Sequence, residues 1–395
     1  MAIPYLATVY GGPSKVVQEL AQSLGRKSVS VDLITTNANG NQKLSVPLGD
    51  WIDKEDYRVR YFDCVHHNDA ILSFSLGSWL AKHASDYDVV HTNNMFAPTM
   101  SIVRWICQRK RVPYITTPHG MLEPWALSYK GSKKKIYYKY FEVPTLKAAS
   151  AIHTLNSLEA NNVNILGFSQ TDIIPNGLHR EEFETLPDSN IFYQRFPAIK
   201  GKKIILFLGR IDPKKGLDLL APAFAKAHQQ FPDTHLVLAG PDSIDFLPTA
   251  RNYFSQAGCL ESVTFTGMLT GAFKRSALAA ASVYVAPSYS EGFSMSVLEG
   301  MAAGLPCIIT KGCNFPEAAT AQAAHVVDTK TDAIYAALHQ VLSHQRHAKA
   351  MGQQAREFVL QNYTWDRAAE KLIQLYQNIS LPSLVSGTRP PSPVL

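Results

Sequence analysis

Cysteine is scarce and scattered in this sequence. The cysteines are odd in number and never spaced as C-x-x-C; they are Cys64, Cys107, Cys259, Cys307 and Cys313. This usage argues against a disulfide framework or a zinc site and favours a reducing compartment. Long hydrophobic runs are missing too, since no window reaches about eighteen uninterrupted apolar residues. The N-terminus lacks the pattern of a signal peptide. We therefore expect a cytoplasmic protein.

Charge of one sign is also in short supply. The chain has 38 Lys and Arg against 32 Asp and Glu, a formal net charge of +6. This excess is too small to indicate a nucleic-acid partner, and aromatic residues are not interleaved with a basic stripe. A modest positive charge suits an anionic small molecule or a membrane surface. We expect no nucleic acid among the partners.

What the sequence does contain is a repeated strand–helix rhythm over 395 residues, a length that suits two domains. Short β-branched runs alternate with helical segments, which is typical of parallel sheets built from βαβ units. Strands are expected at 29–35, 58–62, 88–92, 113–117, 151–155, 172–175, 203–209, 235–240, 263–267, 283–287, 306–310 and 324–327. The polar segment 179–203 is the expected boundary. The sequence thus predicts an α/β fold of two Rossmann-like domains facing across a cleft, with the site at the carboxyl ends of the strands.

Both ends of the chain depart from this rhythm. Only "MAIPYLATVY" precedes the first glycine turn, and Pro4 removes a ladder donor, so the first strand looks clipped. A helix is expected over 364–379, with Thr364 as its N-cap. The Pro- and Ser-rich segment 381–395 is expected to be disordered.

Two glycine-containing turns could bind an anion. In "FLGRIDPKKGLDLL" (207–220), Arg210, Lys214 and Lys215 follow a strand and precede a helix start, where cations and the helix dipole both favour phosphate. In "YGGPSKVVQEL" (10–20), Gly12 would let backbone N–H groups approach a phosphate. The alternative interpretation is that the cations of 207–220 are solvated and that 10–20 forms an ordinary turn.

Two glutamates stand out in "PSYSEGFSMSVLEGMAAGLP" (287–306). Glu291 follows a strand and precedes Gly292, and a helix is expected to begin at Phe293 or Ser294. Glu299 lies about a turn and a half inside that helix. One carboxylate could bind hydroxyls at each end of a ligand whose phosphates meet the helix N-terminus. The competing interpretation is a pair of solvated surface glutamates.

Taken together, these motifs resemble glycosyltransferase family 4, the retaining enzymes of the GT-B fold, over residues 5–380. The matching pieces are "GGPS" (11–14), "TPHG" (117–120), "IPNGL" (174–178), "LGRIDPKKG" (208–216), "LAGP" (238–241), "VTFTGML" (263–269) and "PSYSEGFSMSVLEGMAAGLPCI" (287–308). The resemblance implies an acceptor-binding domain over 1–180, a donor-binding domain over 181–362 and a helix over 363–380 that crosses back to the first domain.

The resemblance also implies a role for each site residue. Glu291 would contact the donor sugar, with Gly292, Phe293 and Ser294 around it, and Glu299 would bind the ribose hydroxyls. Arg210 and Lys215 would hold the pyrophosphate and stabilise the charge that grows on it. Gly12 would support the same phosphates. His119 would reach the donor sugar or the acceptor, unless it is simply a hydrogen-bonded histidine in a turn.

The implied reaction transfers a hexose from a nucleotide-diphosphate donor to a hydroxyl with retention of configuration, in polysaccharide or glycolipid synthesis. No cofactor or metal is implied, because Arg210 and Lys215 would supply the charge stabilisation. A metal-binding motif, "DYD" (86–88), falls at the amino end of a strand, away from the expected site. The same fold could instead serve an epimerase, a phosphorylase, or a non-catalytic protein that binds sugar nucleotides or glycans.

The segment "YKGSKKKIYYKYFEVP" (129–144) combines lysines with an apolar face formed by Ile136, Tyr137, Tyr140 and Phe141. Since family members often act on lipid-linked acceptors, it could contact anionic lipid at the inner face of the plasma membrane. The competing interpretation is a solvated basic face over a stripe that packs into the core.

Overall fold

The computed structural model describes residues 1–67, 70–128 and 131–385. The chain forms two compact units. Unit 1 comprises Met1–Asn176 and the chain from Trp365 onward, and unit 2 is Gly177–Thr364. The change of unit at Asn176 lies near the domain border expected at residue 180. Each unit has its own hydrophobic core.

Unit 1 carries a mainly parallel sheet. Its strands are β1 (Asp32–Thr36), β2 (Ala38–Asn39), β3 (Gln42–Lys43), β4 (Trp51–Asp53), β5 (Arg58–Phe62), β6 (Val65–His67), β7 (Ala70–Leu72), β8 (Val90–Asn93), β9 (Tyr114–Thr117), β10 (Ala151–Thr154) and β11 (Thr171–Ile173). They pair in the order β4-β5-β1 and β8-β9-β10-β11, with β2–β3 and β6–β7 as separate hairpins. Among the described strands of the larger sheet, β4 alone runs antiparallel to its neighbour.

The first strand is present, although it is very short. Ala2 bridges in parallel to Ile34 of β1 and to Thr92 of β8, so it joins the two sets of strands. The Ala2 N–H donates to the His91 carbonyl at 2.8 Å, and the Asn93 N–H donates to the Ala2 carbonyl at 2.8 Å. The pairing stops before Pro4, which has no N–H to donate. The apparently clipped strand therefore keeps its central place in the sheet.

The helices of unit 1 flank this sheet. They are α1 (Gly12–Arg26), α2 (Phe74–His83), α3 (Pro98–Lys110), α4 (Pro124–Ser128), α5 (Gly131–Tyr137), α6 (Val143–Lys147) and α7 (Ser157–Ile165), with a π-helical turn at Tyr138–Glu142 between α5 and α6. Pro13 lies in the first turn of α1, where a missing N–H costs nothing.

Unit 2 contains a parallel sheet in the order β14-β13-β12-β15-β16-β17. The strands are β12 (Lys203–Leu208), β13 (Thr234–Ala239), β14 (Val263–Gly267), β15 (Ala281–Ala286), β16 (Cys307–Thr310) and β17 (His325–Val327). Numbered from the first strand of the unit, this is the order 3-2-1-4-5-6 of a Rossmann fold. The direction of winding reverses between β12 and β15, and ligands bind at such a switch point in open α/β sheets.

The helices of unit 2 are α8 (Asn190–Arg195), α9 (Leu217–Gln230), α10 (Leu247–Gln256), α11 (Gly271–Ala280), α12 (Met295–Ala302), α13 (Glu317–Thr320), α14 (Thr331–Ser343) and α15 (Gln345–Asn362). The continuous apolar runs of β12, β13, β15 and β16 are buried, as expected for strands covered on both faces. The predicted α/β fold of two Rossmann-like domains is confirmed.

The last helix, α16 (Trp365–Val385), belongs to unit 1. Lys27 of α1 pairs with Glu370 at 3.1 Å, and Leu372 is fully buried. The helix is longer than expected, because it continues past Pro382 to Val385; the tail was expected to be disordered from residue 381. Residues 386–395 of that tail lie outside the described residues. None of the described helices is both long and apolar enough to cross a membrane.

Candidate active site

The residues predicted to bind phosphate lie beside the switch point of unit 2. β12 ends at Leu208 and leads into the stretch 209–216, which closes in a 3-10 turn at Pro213–Lys215. The Asp212 side chain caps this turn by accepting from the Lys214 N–H at 2.9 Å. Gly216 then adopts φ +68°, and α9 begins at the next residue. The turn thus places its lysines at the carboxyl edge of the sheet.

Lys215 and Glu291 are in direct contact. The Lys215 Nζ lies 2.5 Å from Glu291 Oε1, and both side chains are largely buried, with exposed fractions of 15% and 14%. Ser288 Oγ donates to the same carboxylate oxygen at 2.7 Å. The Glu291 N–H donates to the Gly312 carbonyl at 2.8 Å. Glu291 is therefore held in place from both its backbone and its side chain, at the loop that follows β15.

Glu299 has a different lysine partner. Its Oε1 lies 2.6 Å from the Nζ of Lys274, which comes from α11. The Glu299 side chain is 14% exposed, so it is not a solvated surface glutamate. No sequence motif marks Lys274, since it lies in an amphipathic helix and its partner is 25 positions away.

Arg210 and Lys214 differ in their surroundings. The Arg210 side chain is 58% exposed and makes a long contact, 3.9 Å, to Asp212. Its guanidinium can therefore turn toward a ligand. Lys214 is half-buried, and this desolvation lowers the pKa of its ammonium group. Lys214 also anchors the loop after β15, because its carbonyl accepts from the Tyr289 N–H at 2.8 Å.

The segment before α12 divides into two parts. Phe293 packs near Phe315 and Tyr363, with ring centroids 6.2 and 6.3 Å apart, so its ring belongs to the core packing. Ser294 is the N-cap residue of α12, and its hydroxyl lies 3.2 Å from that of Ser296 rather than on the backbone of the first turn. The Val297 N–H donates to the Ser294 carbonyl at 3.2 Å, while the amides before it are not capped by the Ser294 side chain and can meet an anion. Gly292 lies between Glu291 and this helix start.

His119 lies in unit 1, in the turn after β9. Its backbone has φ +53°, a conformation that is rare for a residue other than glycine. Its Nε2 is 3.0 Å from Asn93 Oδ1, and since an amide oxygen only accepts, Nε2 carries the proton. Desolvation, with a smaller effect from His153, lowers the pKa of His119 to about 3. The ring is neutral at physiological pH, with Nδ1 as its acceptor.

Glu159 positions the turn that contains His119. Its carboxylate accepts from the Gly120 N–H at 2.6 Å and from the Leu155 N–H at 2.7 Å. Burial raises the pKa of Glu159 to about 7. No sequence motif marks Glu159 or Asn93, because their partners come from separate strands and helices.

Behind this turn lies a buried chain of hydrogen bonds. His91 Nδ1 is 2.7 Å from the Tyr376 hydroxyl and Nε2 is 2.7 Å from Thr117 Oγ1. Thr117 Oγ1 is 2.9 Å from His153 Nδ1, and His153 Nε2 is 2.7 Å from the Ile174 carbonyl. Burial lowers the pKa of both His91 and His153, so both imidazoles are neutral. Because the carbonyl can only accept, the protons along the chain are then assigned, and each group donates toward Ile174.

Gly12 is the first residue of α1 and follows Gly11, which has φ +82°. A Cβ added at Gly12 would meet no atom within 4 Å. The space beside this helix start is therefore open to a ligand. Within the described ranges 1–67, 70–128 and 131–385, no cluster of three His, Cys, Asp or Glu side chains could hold a metal ion.

Two family profiles match the chain. The profile described as "Glycosyltransferase Family 4" matches residues 10–182, and that described as "Glycosyl transferases group 1" matches residues 189–358. Among curated proteins, the phosphatidyl-myo-inositol mannosyltransferase of Mycobacterium leprae is 24% identical over 412 residues, which cover 96% of each chain.

Solved structures share the fold. Sucrose-phosphate synthase from Thermosynechococcus elongatus is 21% identical with a TM-score of 0.75, and the match covers 96% of this chain and 98% of that one. HepE from Anabaena, in complex with UDP, is 15% identical with a TM-score of 0.75, covering 95% and 98% of the two chains. At these identities the likeness establishes the fold alone.

Proposed function

We propose, because this chain belongs to glycosyltransferase family 4 and has the GT-B fold, that it transfers a hexose from a nucleotide-diphosphate donor to a hydroxyl with retention of anomeric configuration. The observation that carries the proposal is the contact between Lys215 and Glu291 at the switch point of unit 2. It joins a phosphate-binding cation to a hydroxyl-binding carboxylate, and a sugar nucleotide presents phosphates and hydroxyls together.

The proposed roles follow from charge and position. Arg210 and Lys215 bind the pyrophosphate and stabilise the negative charge that develops on it as the glycosidic bond breaks. The N-terminus of α12, from Ser294, adds backbone donors to the same charge. Glu291 binds hydroxyls of the sugar, and Glu299 binds the ribose hydroxyls. In the proposed front-face reaction, the leaving phosphate deprotonates the acceptor.

Two residues of unit 1 complete the proposal. His119 would accept a hydrogen bond at Nδ1 from a hydroxyl of the sugar or the acceptor, since Nε2 is committed to Asn93. Gly12 would contribute backbone N–H groups to the phosphates. The relative from Mycobacterium leprae is named for phosphatidyl-myo-inositol, and the Anabaena structure holds UDP. These names support a nucleotide-sugar donor and a glycolipid or polysaccharide product.

The phosphate site is tested with Arg210→Ala and Lys215→Ala, assayed with a panel of UDP-, GDP-, ADP- and TDP-sugars. Turnover should fall far more than stability, because these cations act mainly in the transition state. Lys226→Ala is the matched control, since Lys226 is an exposed lysine paired with Asp332. Near wild-type turnover in both site variants would overturn the assignment.

Two further measurements test the mechanism and the class of protein. Activity should survive EDTA, because the cations replace a metal; loss of activity that manganese or magnesium restores would overturn the metal-free mechanism.

A protein that binds donors without transfer or hydrolysis would instead be a non-catalytic binding protein. Binding itself is visible by thermal shift, since a ligand at a hundred times its Kd stabilises the native state by about 2.7 kcal/mol.

We also propose that the segment 129–144 contacts anionic lipid. The buried pair Arg104–Glu142 fastens this segment to α3. Ile136, Tyr140 and Phe141 are nevertheless exposed, with fractions of 62%, 64% and 54%, so they do not form a core-facing stripe. Residues 129 and 130 of the segment lie outside the described residues.

A groove of about 470 Å³ supports this contact, since Trp105 of α3 lines it together with Tyr140 and Phe141. Amphipathic surfaces bind membranes through apolar side chains and flanking cations. The double variant Lys135→Gln/Lys139→Gln should bind phosphatidylglycerol vesicles more weakly than wild type, while Lys226→Gln should not. Equal binding of wild type to neutral phosphatidylcholine vesicles would overturn the anionic preference.

A further inference from the structure

A second cavity, of about 740 Å³, lies at the amino edge of the unit 1 sheet. It is lined by the first residues of β1 and β5, Asp32 and Arg58, and by residues 86–89 before β8. His119 and Gly12 follow carboxyl ends of strands, so this cavity lies at the opposite edge of the same sheet. Its volume falls in the range of small-molecule sites, about 300–1,000 Å³.

Arg60 is the unusual side chain in this cavity. Its guanidinium carbon lies 5.4 Å from the Trp51 ring, 5.6 Å from the Phe62 ring and 5.1 Å from the Trp79 ring. The rings stabilise the cationic charge, but they are not in-line acceptors for its N–H donors. Nε is buried without a hydrogen-bond partner among the described residues. Because Nε is shielded from solvent, a ligand acceptor would bind at the terminal Nη groups, for which the described residues supply no hydrogen bond.

The neighbouring cations are already paired. Arg58 donates to Asp32 through Nε at 2.5 Å and through Nη2 at 2.9 Å, and the Tyr87 hydroxyl donates to Asp32 at 2.6 Å. Despite desolvation, these hydrogen bonds lower the pKa of Asp32. His83 stacks on Trp79 at 4.8 Å between ring centroids and contacts Asp86 at 2.9 Å. The Met1 amino group, which also lines the cavity, donates to the Asp32 carbonyl at 2.6 Å, and burial lowers its pKa to about 6. Arg60 is therefore the cavity cation that has no carboxylate partner among the described residues.

We propose that this cavity binds a saccharide carrying a phosphate or carboxylate group. Arg60, held among the rings, presents its guanidinium edge to the anion in the bidentate geometry that carboxylates and phosphates favour. Asp86 and Asp88, both exposed at the rim, accept hydrogen bonds from hydroxyl groups. Trp51 and Trp79 form the apolar wall. This site is additional to the donor site of unit 2 and does not depend on it.

The test uses the full chain with ¹⁵N-labelled tryptophan. Glucose 6-phosphate and glucuronate are titrated while the indole N–H signals are followed by NMR, and affinities are measured by calorimetry. The signals of Trp51 and Trp79 should shift, while those of Trp105 and Trp365 should not. Neutral glucose and inorganic phosphate should each bind at least tenfold more weakly than glucose 6-phosphate.

Arg60→Gln should weaken glucose 6-phosphate binding at this site at least tenfold. Arg109→Gln is the matched control, because Arg109 also stacks on a tryptophan, 4.9 Å from the ring of Trp105. Arg210→Ala should leave the Trp51 and Trp79 shifts unchanged, which separates this site from the donor site. If Arg60→Gln does not fold, Arg60→Lys keeps a cation among the rings and should still weaken binding by losing the bidentate edge.

Four outcomes would overturn the proposal: unshifted Trp51 and Trp79 signals, equal binding by the folded Arg60 variant, equal binding of neutral glucose, or inorganic phosphate binding as tightly as the sugar phosphate. The first two would reject the site. The last two would reject the ligand class.

Discussion

At the scale of single residues, the two glutamates of unit 2 are held by different lysines. Glu291 is fixed by Lys215 in the loop after β15, and Glu299 by Lys274 of α11. Each lysine holds its carboxylate in position. The two glutamates are therefore held by different residues, and substituting each should have a different kinetic effect.

Glu291→Gln should lower kcat, whereas Glu299→Gln should mainly raise KM for the donor. Glu291 is assigned to the sugar, whose charge and shape change as the bond breaks; Glu299 is assigned to the ribose, where contacts change little. A charged hydrogen bond is worth about 1.5–3 kcal/mol, or roughly ten- to a hundredfold. The measurement is steady-state kinetics on both variants, with circular dichroism as the folding control.

Lys274→Gln serves as the companion variant. It should reproduce the KM effect of Glu299→Gln in weaker form, since it removes the support rather than the ligand contact. Losses in the same kinetic parameter for Glu291→Gln and Glu299→Gln would show that at least one glutamate is assigned to the wrong end of the donor.

The buried histidines of unit 1 make its stability sensitive to acid. The pKa of His153 is lowered to about 4 and that of His119 to about 3, and that of His91 is also lowered, chiefly by desolvation. Below pH 6.5 these histidines become protonated in the unfolded chain before they do in the folded one. The free energy of unfolding should therefore fall from pH 6.5 toward pH 4. Each net proton is worth about 1.4 kcal/mol per pH unit.

Glu159 acts in the opposite direction. Its raised pKa, about 7, means that the folded protein takes up a proton between pH 7 and 4.5 and gains stability as the pH falls. The effect of three histidines exceeds that of one glutamate, so the free energy of unfolding should fall as the pH falls. Urea unfolding at pH 7.5, 6.0 and 5.0 measures the free energy of unfolding. Glu159→Gln should make its fall with pH steeper. Stability that stays constant or rises on acidification would contradict this account.

Two of the predicted site residues, Glu291 and Lys215, are in contact in the structure, while their roles stay a prediction. Glu291 and Lys215 were identified because each follows a strand at the carboxyl edge of a sheet, beside glycines that mark the turns. Lys274 and the chain from Tyr376 to His153 could not be found this way. Their partners come from distant strands and helices, and only the folded sheet brings them together.

At the scale of elements, two glycines at helix starts have opposite environments. A Cβ at Gly216 would lie 2.1 Å from the Pro287 carbonyl oxygen, and its φ is +68°, whereas a Cβ at Gly12 would meet nothing within 4 Å. Gly216 is thus required by the close approach of the turn after β12 to the end of β15. Gly12 is free of any such packing requirement.

Gly216→Ala should lower both stability and activity, because the backbone must shift at the site. Gly12→Ala should leave the melting temperature unchanged or slightly raised, since alanine favours helix by up to about 1 kcal/mol over glycine, yet weaken donor binding. Thermal unfolding and donor calorimetry on both variants test this. Normal donor affinity in Gly12→Ala would argue against a phosphate at that helix start.

The predicted strands match the structure, and β12, β13, β15 and β16 do so because their apolar runs are buried on both faces of the sheet. The helix expected to begin at Phe293 or Ser294 likewise begins at Met295, as α12. The sequence did not predict the short strands β2, β3, β4, β6 and β7, the pairing at Ala2 or the π-helical turn at Tyr138–Glu142. The pairing at Ala2 depends on strands far along the chain rather than on its own composition.

At the scale of the whole molecule, α16 returns to complete unit 1. Leu372→Ala, at a fully buried position of this helix, should cost about 2–5 kcal/mol. Hydrogen exchange should quicken in unit 1, including β1 and β8, while unit 2 stays protected, because each unit has its own core. Leu338→Ala, in α14 of unit 2, is the matched control and should give the reverse pattern. Uniform deprotection by either variant would contradict separate cores.

The discontinuity of unit 1 also bears on how the chain is made. A ribosome delivers residues in order, at about 5–20 per second. Unit 2 is one continuous stretch, Gly177–Thr364, and can close as soon as that stretch has emerged. Unit 1 begins first but must wait for Trp365 and the helix after it. During synthesis, therefore, the later half of this protein can be finished before the earlier half, and the hydroxyl of Tyr376 reaches His91 only after translation has passed nearly every other residue.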